Sequence, residues 1–415
     1  MIDAGSPHYF MSRPRRFGKS LFVSTLEEVF KGNKELFTGL DIYNSDYQWT
    51  PHPILHFDFS LIESDTPDVL RQGLHDTLED VANSHGLAVS GSSLKSQLKR
   101  LVKELASKES RIVVLVDEYD QPIINHLSNL EVADANRAIL RSFFSALKGL
   151  DAEIEFTFIT GVSKFSQVSV FSGLNNLKDI TMDSRYANMM GYTECEIKKY
   201  FRAHINQIVS SRVEVGQNTT EDQIHDEIRI WYNGYRFSKT PSSVYNPFST
   251  LNYMESGNTQ SFWYSTGTPS FLIQQVQKRP QAVAALSGAT ALESTLSEIS
   301  NLKRINLIAL MFQTGYLTIS SYDQEKDFYY LDFPNQEVRH AFFNSLLEEF
   351  AEIDPTDIAK SAGQVQDALS DFDINAIVKI MNIHFAKIAY QLFSKSQEGF
   401  YHAANFSLEQ NLADT

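Results

Sequence analysis

Apolar and polar positions alternate along the first 190 residues in a way that predicts strands and helices in turn. His8-Tyr9-Phe10-Met11 reads as a short buried strand, and Phe22, Leu26, Val29 and Phe30 then recur at helical spacing. Ile54 to Phe59 predicts a second strand, and Asp65 to Arg111 is mostly helical. Within it, Ser92 or Ser93 is placed to cap a helix whose Leu94, Leu98, Leu101 and Leu105 form one stripe. Ile112 to Val116 is apolar throughout, which fits a strand buried on both faces. A helix with Ile139, Phe143 and Leu147 on its buried side follows, then a β-prone run from Ile154 to Thr160 and a short strand at Asp179 to Met182. Such alternation predicts an α/β domain over 1–190, a parallel sheet with helices on both faces.

Beyond that point the pattern changes. Thr193 and Glu196 have capping-box spacing and open a helix. Aromatics crowd Trp231 to Phe237, Val244 to Phe248 and Trp263 to Pro269. With no basic run beside them, they read as turn anchors of a small core before they read as base-stacking platforms. Asn306 to Tyr316 predicts a buried helix, and Leu317-Thr318-Ile319 with Phe328 to Leu331 a hairpin. We therefore expect a helical lid and winged-helix-like region over 191–350 and a helical segment over 351–415.

Candidate chemistry sits at the two strand ends of the first domain. Ser12-Arg13-Pro14-Arg15-Arg16-Phe17-Gly18-Lys19-Ser20-Leu21 lies between the first strand and its helix, the context of a phosphate-binding loop. Arg13 to Leu21 are the candidate nucleotide-binding residues: Arg13, Pro14, Arg15, Arg16, Phe17, Gly18, Lys19, Ser20 and Leu21. Backbone N–H groups and the helix end would cradle phosphate, Lys19 would offer a point charge, and Ser20 a hydroxyl ligand to Mg²⁺. Arg13 stands where the usual pattern has glycine, and Pro14 removes one N–H donor. Asp117 and Glu118 end the all-apolar strand, where ligands of parallel sheets bind. Asp117 is the candidate metal partner and Glu118 the candidate that polarises water. Thr160, at the end of a strand expected beside both motifs, is the candidate γ-phosphate sensor, with Ser163 in reserve.

Composition narrows the partners. Across 415 residues, 36 basic and 51 acidic side chains give a net charge of −15, which opposes a chain-wide embrace of nucleic acid and leaves local patches. Arg13, Arg15, Arg16 and Lys19 form the densest patch, and Lys95, Lys99, Arg100, Lys103 and Lys108 line a helix away from its apolar stripe. One cysteine, Cys195, excludes an intrachain disulfide framework, and no apolar span near 20 residues or signal peptide is seen. The expectation is a reducing, cytoplasmic compartment without a membrane.

These residues resemble a known family, the AAA-ATPase-like proteins that carry a C-terminal PD-(D/E)XK nuclease-like domain. The stretches are Ser12 to Ser20, Val116 to Pro122, Phe158 to Asp183, Trp231 to Phe237, Tyr245 to Ser249, Ser265 to Ser270, Gln313 to Thr318 and Phe333 to Val338. The Arg-Pro-Arg-Arg form of the loop is similar to the family's own. The resemblance implies an AAA+-type ATPase core, a helical and winged-helix region, then a nuclease-like fold. Glu398 to Ala404 resembles the first helix of that fold, with Glu398 as its leading acid, but the later acids do not follow before Thr415. The expectation is a Mg²⁺-dependent ATPase, or alternatively a nucleotide-held switch, truncated before any nuclease centre. Nucleic acid through the C-terminal half and a second copy of the chain stay open as partners.

Overall fold

The computed structural model describes residues 8–164, 176–263, 286–297, 305–351, 355–376 and 378–380, with 272, 276, 299 and 302 singly. Expectations placed on 165–175, 264–270, 381–389 and 398–404 lie outside the described residues. By internal contacts the chain divides into two units, Met1–Gly191 with Ser294–Thr314, and Tyr192–Glu293 with Gly315–Thr415.

The first unit is built on a five-stranded parallel sheet. Its strands are β1 (His8–Ser12), β2 (Ile54–Asp58), β3 (Ile112–Asp117), β4 (Ile154–Gly161) and β5 (Lys178–Asp179), in the order β2-β3-β4-β1-β5. Strand β4 thus lies between the phosphate-loop strand and the acidic strand, as the sequence predicted. Register aligns Ser12 with Gly161 and Asp58 with Asp117, so the polar strand ends share one edge. Every residue of β1 and β3 is buried, because helices cover both faces.

On one face, Tyr9, Met11, Val113, Leu115, Phe156 and Phe158 pack against Val23, Leu26 and Phe30 of α1 (Lys19–Phe30). On the other, Phe57 meets Phe143 of the helix Leu130–Phe144 edge-on, ring centroids 5.2 Å apart. Helices α2 (Pro67–Ser84) and α3 (Leu94–Lys108) start on side-chain caps. The Thr66 hydroxyl accepts from Val69 N, and Ser93 forms a capping box with Ser96. Leu147, expected on a helix, falls in a 3₁₀ turn just past the end of Leu130–Phe144.

The second unit opens with α4 (Glu194–Tyr200), where Thr193 and Glu196 form the expected capping box. It continues through α5 (Arg202–Glu214), α6 (Glu221–Tyr232) and α7 (Pro247–Ser256). Their core holds Ile197, Ile205, Ile224, Ile228, Tyr232, Tyr245 and Tyr253. Tyr232, Tyr245 and Tyr253 are wholly enclosed, so these aromatics serve packing and offer no open ring face to a base. The expected hairpin is present as β7 (Thr318–Asp323) and β8 (Phe328–Asp332), antiparallel, with β6 (Ala289–Ala291) on the other side of β8. The helix before it, α8 (Leu307–Thr314), belongs with the first unit rather than with the hairpin. Helices Gln336–Ala351 and Pro355–Ser370 follow.

Candidate functional site

The loop between β1 and α1 is shaped by two left-handed residues, Arg16 at φ 66° and Gly18 at φ 82°. Gly18 is the N-cap of α1 and brings no side chain to it, so the first N–H groups of the helix receive no side-chain cap. A helix start of this kind favours an anion. Phe17 anchors the turn by burying its ring, while Arg15 is half-buried and Arg16, Gly18 and Ser20 are exposed. Leu21 is 72% exposed, so only its backbone belongs to the helix start.

Arg13 behaves differently from the rest of the basic patch. Its guanidinium is turned inward and donates to the carbonyl oxygens of Ser12 at 2.9 Å, Thr181 at 2.9 Å, Tyr186 at 2.9 Å and Met189 at 3.3 Å. Burial lowers its pKa to about 9, opposed by Asp179. Its backbone N–H donates to Gly161 O at 3.2 Å. The side chain that replaces the usual glycine therefore ties the loop to the segment before Gly191. Reading it from sequence as part of a phosphate patch missed this, since carbonyl partners 168 to 176 residues away leave no local signal.

Lys19 is buried and its ammonium donates to Pro14 O at 3.1 Å. Desolvation lowers its pKa, opposed by the charges of Glu118, Asp120 and Asp117. The charges of all three acids thus act on the buried Lys19 ammonium. Asp117 is buried, which raises its pKa, and the neighbouring Ser20 and the charge of Lys19 pull the other way. Glu118 is half-buried in a left-handed conformation, φ 50°, and its N–H donates to its neighbour Asp117 Oδ1 at 2.9 Å. Such a conformation in a non-glycine residue costs energy, and it sends the chain sharply away after β3.

Asp120 is a site residue that the sequence reading did not single out. Its carboxylate accepts from Val162 N at 3.1 Å and Ser163 N at 2.6 Å, just past the end of β4. Burial raises its pKa to about 6, opposed by the bond from Ser163 and the charge of Lys19. Its place in the run Asp117-Glu118-Tyr119-Asp120 was the available signal. The close approach needs Gly161, where a Cβ would lie 2.3 Å from Asp120 Oδ1.

Thr160 and Ser163 are fully buried, and their hydroxyl oxygens have no hydrogen-bond partner. Buried polar groups are normally paired, so two orphans at one strand end call for an explanation. Among the described residues no three His, Cys, Asp or Glu side chains stand together as a ready metal site, and no helix is long and apolar enough to cross a membrane.

Residues 1–171 match the family model described as predicted AAA-ATPase. A curated relative, the "Uncharacterized protein in vnfD 5'region" of Azotobacter chroococcum mcd 1, is 35% identical over 429 residues, which takes in 100% of this chain and 79% of the relative. Among solved structures, the Aeropyrum pernix ORC1 protein in complex with DNA matches at 13% identity and a TM-score of 0.26, over 83% of this chain and 87% of that one. The chain belongs to the AAA-ATPase-like family and is a P-loop protein of the ATP-binding, ATPase-like kind.

Proposed function

We propose that this protein is a Mg²⁺-dependent ATPase whose triphosphate lies across the start of α1, between the loop Arg13 to Leu21 and the acids after β3. The observation that carries the reading is a buried ammonium, Lys19, at an uncapped helix start, acted on by the charges of Glu118, Asp120 and Asp117. An unliganded structural lysine would have little need of three acids and an open helix end.

In the roles we assign, backbone N–H groups from Arg15 to Ser20 and the Lys19 ammonium bind phosphate oxygens, with the half-buried Arg15 and exposed Arg16 beside them. Ser20 would hold Mg²⁺ directly and Asp117 through its water shell. Ser20 acts to hold the Asp117 carboxyl in its charged form, which fits that division. Bound there, the metal would neutralise charge developing on the phosphates. Glu118 orients the attacking water and accepts its proton. Thr160, with Ser163 in reserve, donates its unpartnered hydroxyl to the γ-phosphate. Nucleic acid, as a further partner through the C-terminal half, would bind with an affinity that falls as salt rises.

Calorimetric titration with a non-hydrolysable ATP analogue and Mg²⁺, run beside Lys19→Ala, tests the site. Saturable binding that the variant loses by roughly a hundredfold or more supports it, the scale expected for removing a buried charged hydrogen-bond donor. Equal binding by both proteins would refute it. A wild-type hydrolysis rate no higher than that of Glu118→Gln would turn the reading to a nucleotide-held switch.

A further inference from the structure

The turn from Thr160 to Lys164 is held by its backbone and leaves its hydroxyls unused. Thr160 O accepts from Tyr119 N at 3.1 Å, and Gly161 O from Arg13 N at 3.2 Å. The N–H groups of Val162 and Ser163 go to Asp120, and Ser163 O accepts from the Tyr119 hydroxyl at 2.9 Å. Those partners all come from the phosphate loop or from the acidic run after β3.

The last residue of the turn is held from elsewhere in the chain. Lys164 N donates to Gln313 Oε1 at 2.9 Å, and Lys164 O accepts from Ile299 N at 2.9 Å. Gln313 is buried on α8, 149 residues downstream, and its other end is also engaged, Nε2 donating to Leu296 O at 2.8 Å. A buried amide fixed at both ends has one orientation, so it transmits displacement instead of absorbing it. The Lys164 ammonium pairs with Asp179, whose other oxygen accepts from Thr181 N at 2.9 Å, and Thr181 Oγ1 accepts from Ser12 N at 3.0 Å. Both sides of the phosphate site, the loop and the sensor turn, thus lead into one continuous network that ends on α8.

We propose that Gln313 is a positioning residue that sets the sensor turn bearing Thr160 and Ser163, and couples what those hydroxyls touch to the segment 294–314. The inference rests on the ATPase reading of the site but not on turnover, so it applies equally to a slow switch. By linkage, a phosphate that shifts the turn must shift the order of α8, and the reverse.

Hydrogen exchange of the intact chain, with and without a saturating ATP analogue and Mg²⁺, tests it. Wild type is expected to show slower exchange at α1 and also across 307–314. Gln313→Met keeps the volume and loses both bonds; it should bind the analogue within about twofold of wild type and protect α1, yet lose the protection across 307–314. Gln313→Glu keeps the acceptor for Lys164 N and should restore most of that protection. Where hydrolysis is measurable, kcat of the Met variant should fall roughly tenfold with KM nearly unchanged. Saturated wild type with unaltered exchange across 307–314 overturns the coupling, as does a Met variant that keeps it. A Met variant that fails to fold leaves the wild-type comparison to decide. Failure of wild type to bind the analogue is a different result, because it removes the ATPase reading and takes the coupling with it.

Discussion

Both units of this protein bury ionisable groups, and they deal with the cost in opposite ways. In the first, Lys19 goes under cover with Glu118, Asp120 and Asp117 acting on it, so charge is kept by supplying its opposite. In the second, Glu337 is wholly buried among Ser249, Trp263 and aromatic side chains, and burial pushes its pKa up to about 8. That carboxyl gives up its charge near neutral pH. Retained charge at a strand edge suits a charged ligand, whereas a neutral acid inside an aromatic core is a structural hydrogen-bonding group. The same substitution, acid to amide, should therefore have unlike consequences in the two places.

The largest effect is expected from Glu118→Gln. Amide for carboxylate preserves shape and removes the proposed proton acceptor, so steady-state hydrolysis should fall roughly 10²–10⁴-fold while analogue binding persists. Thermal stability should hold, because Glu118 is half-buried and not part of the sheet core. Loss of binding in step with turnover would mean that Glu118 is a structural acid, and the contrast with Glu337 would collapse.

Next in size is a pair of glycines, one in each unit. Gly234 has φ 101°, and a Cβ there would sit 1.8 Å from the carbonyl oxygen of Pro334. Backbone cannot swing away as a side chain can, so Gly234→Ala should cost about 3 kcal/mol or more by chemical denaturation. At Gly161 the Cβ meets the Asp120 carboxylate instead. Gly161→Ala should destabilise less and depress turnover more, since Asp120 must move off Val162 and Ser163. Equal stability losses with no difference in turnover would say that the strand edge is as purely structural as the aromatic core.

The third effect is in pH. Glu337 titrates near 4.5 when exposed and at about 8 in the fold. Between those values the unfolded chain has lost a proton that the native chain keeps, so stability falls as pH rises through the window and levels off above about 8. Glu337→Gln keeps an oxygen to accept from the Ser249 hydroxyl and Trp263 N–H but cannot ionise. It should remove that fall, worth on the order of a few kcal/mol, in denaturation curves taken from pH 5 to 9. An unchanged slope would show that the acid is ionised in the core.

What the sequence made legible was local. The buried β1 and β3, the glycine-lysine-serine turn, Asp117 and Glu118, and the Thr193–Glu196 box all write their geometry in neighbouring residues. The place of β4 beside β1 and β3 followed too, because β-prone runs flanking two phosphate motifs have few ways to pair. Arg13, Asp120 and Gln313 were misjudged or passed over for one shared reason. Each finds its role through a backbone group far along the chain, Met189 O, Ser163 N or Lys164 N, and backbone partners leave no trace in side-chain patterns. The interleaved aromatics were legible as core because hydroxyl-bearing rings without a basic run beside them pack more readily than they stack on bases.

The smallest test asks whether the contrast between units comes from local structure at all. Ser93 caps α3 in the first unit and Thr220 caps α6 in the second, each through a capping box, with Ser96 and Gln223 as the reciprocal partners. Replacing either cap by alanine frees one helix-start N–H and should cost about 1 kcal/mol. The two losses should match in urea denaturation, and neither variant should change analogue affinity, because both caps lie outside the network of the phosphate site. Matching costs would leave the handling of buried charge as what separates the units. A Ser93→Ala variant that weakened nucleotide binding would instead make α3 part of the site, and would bring its exposed lysines with it.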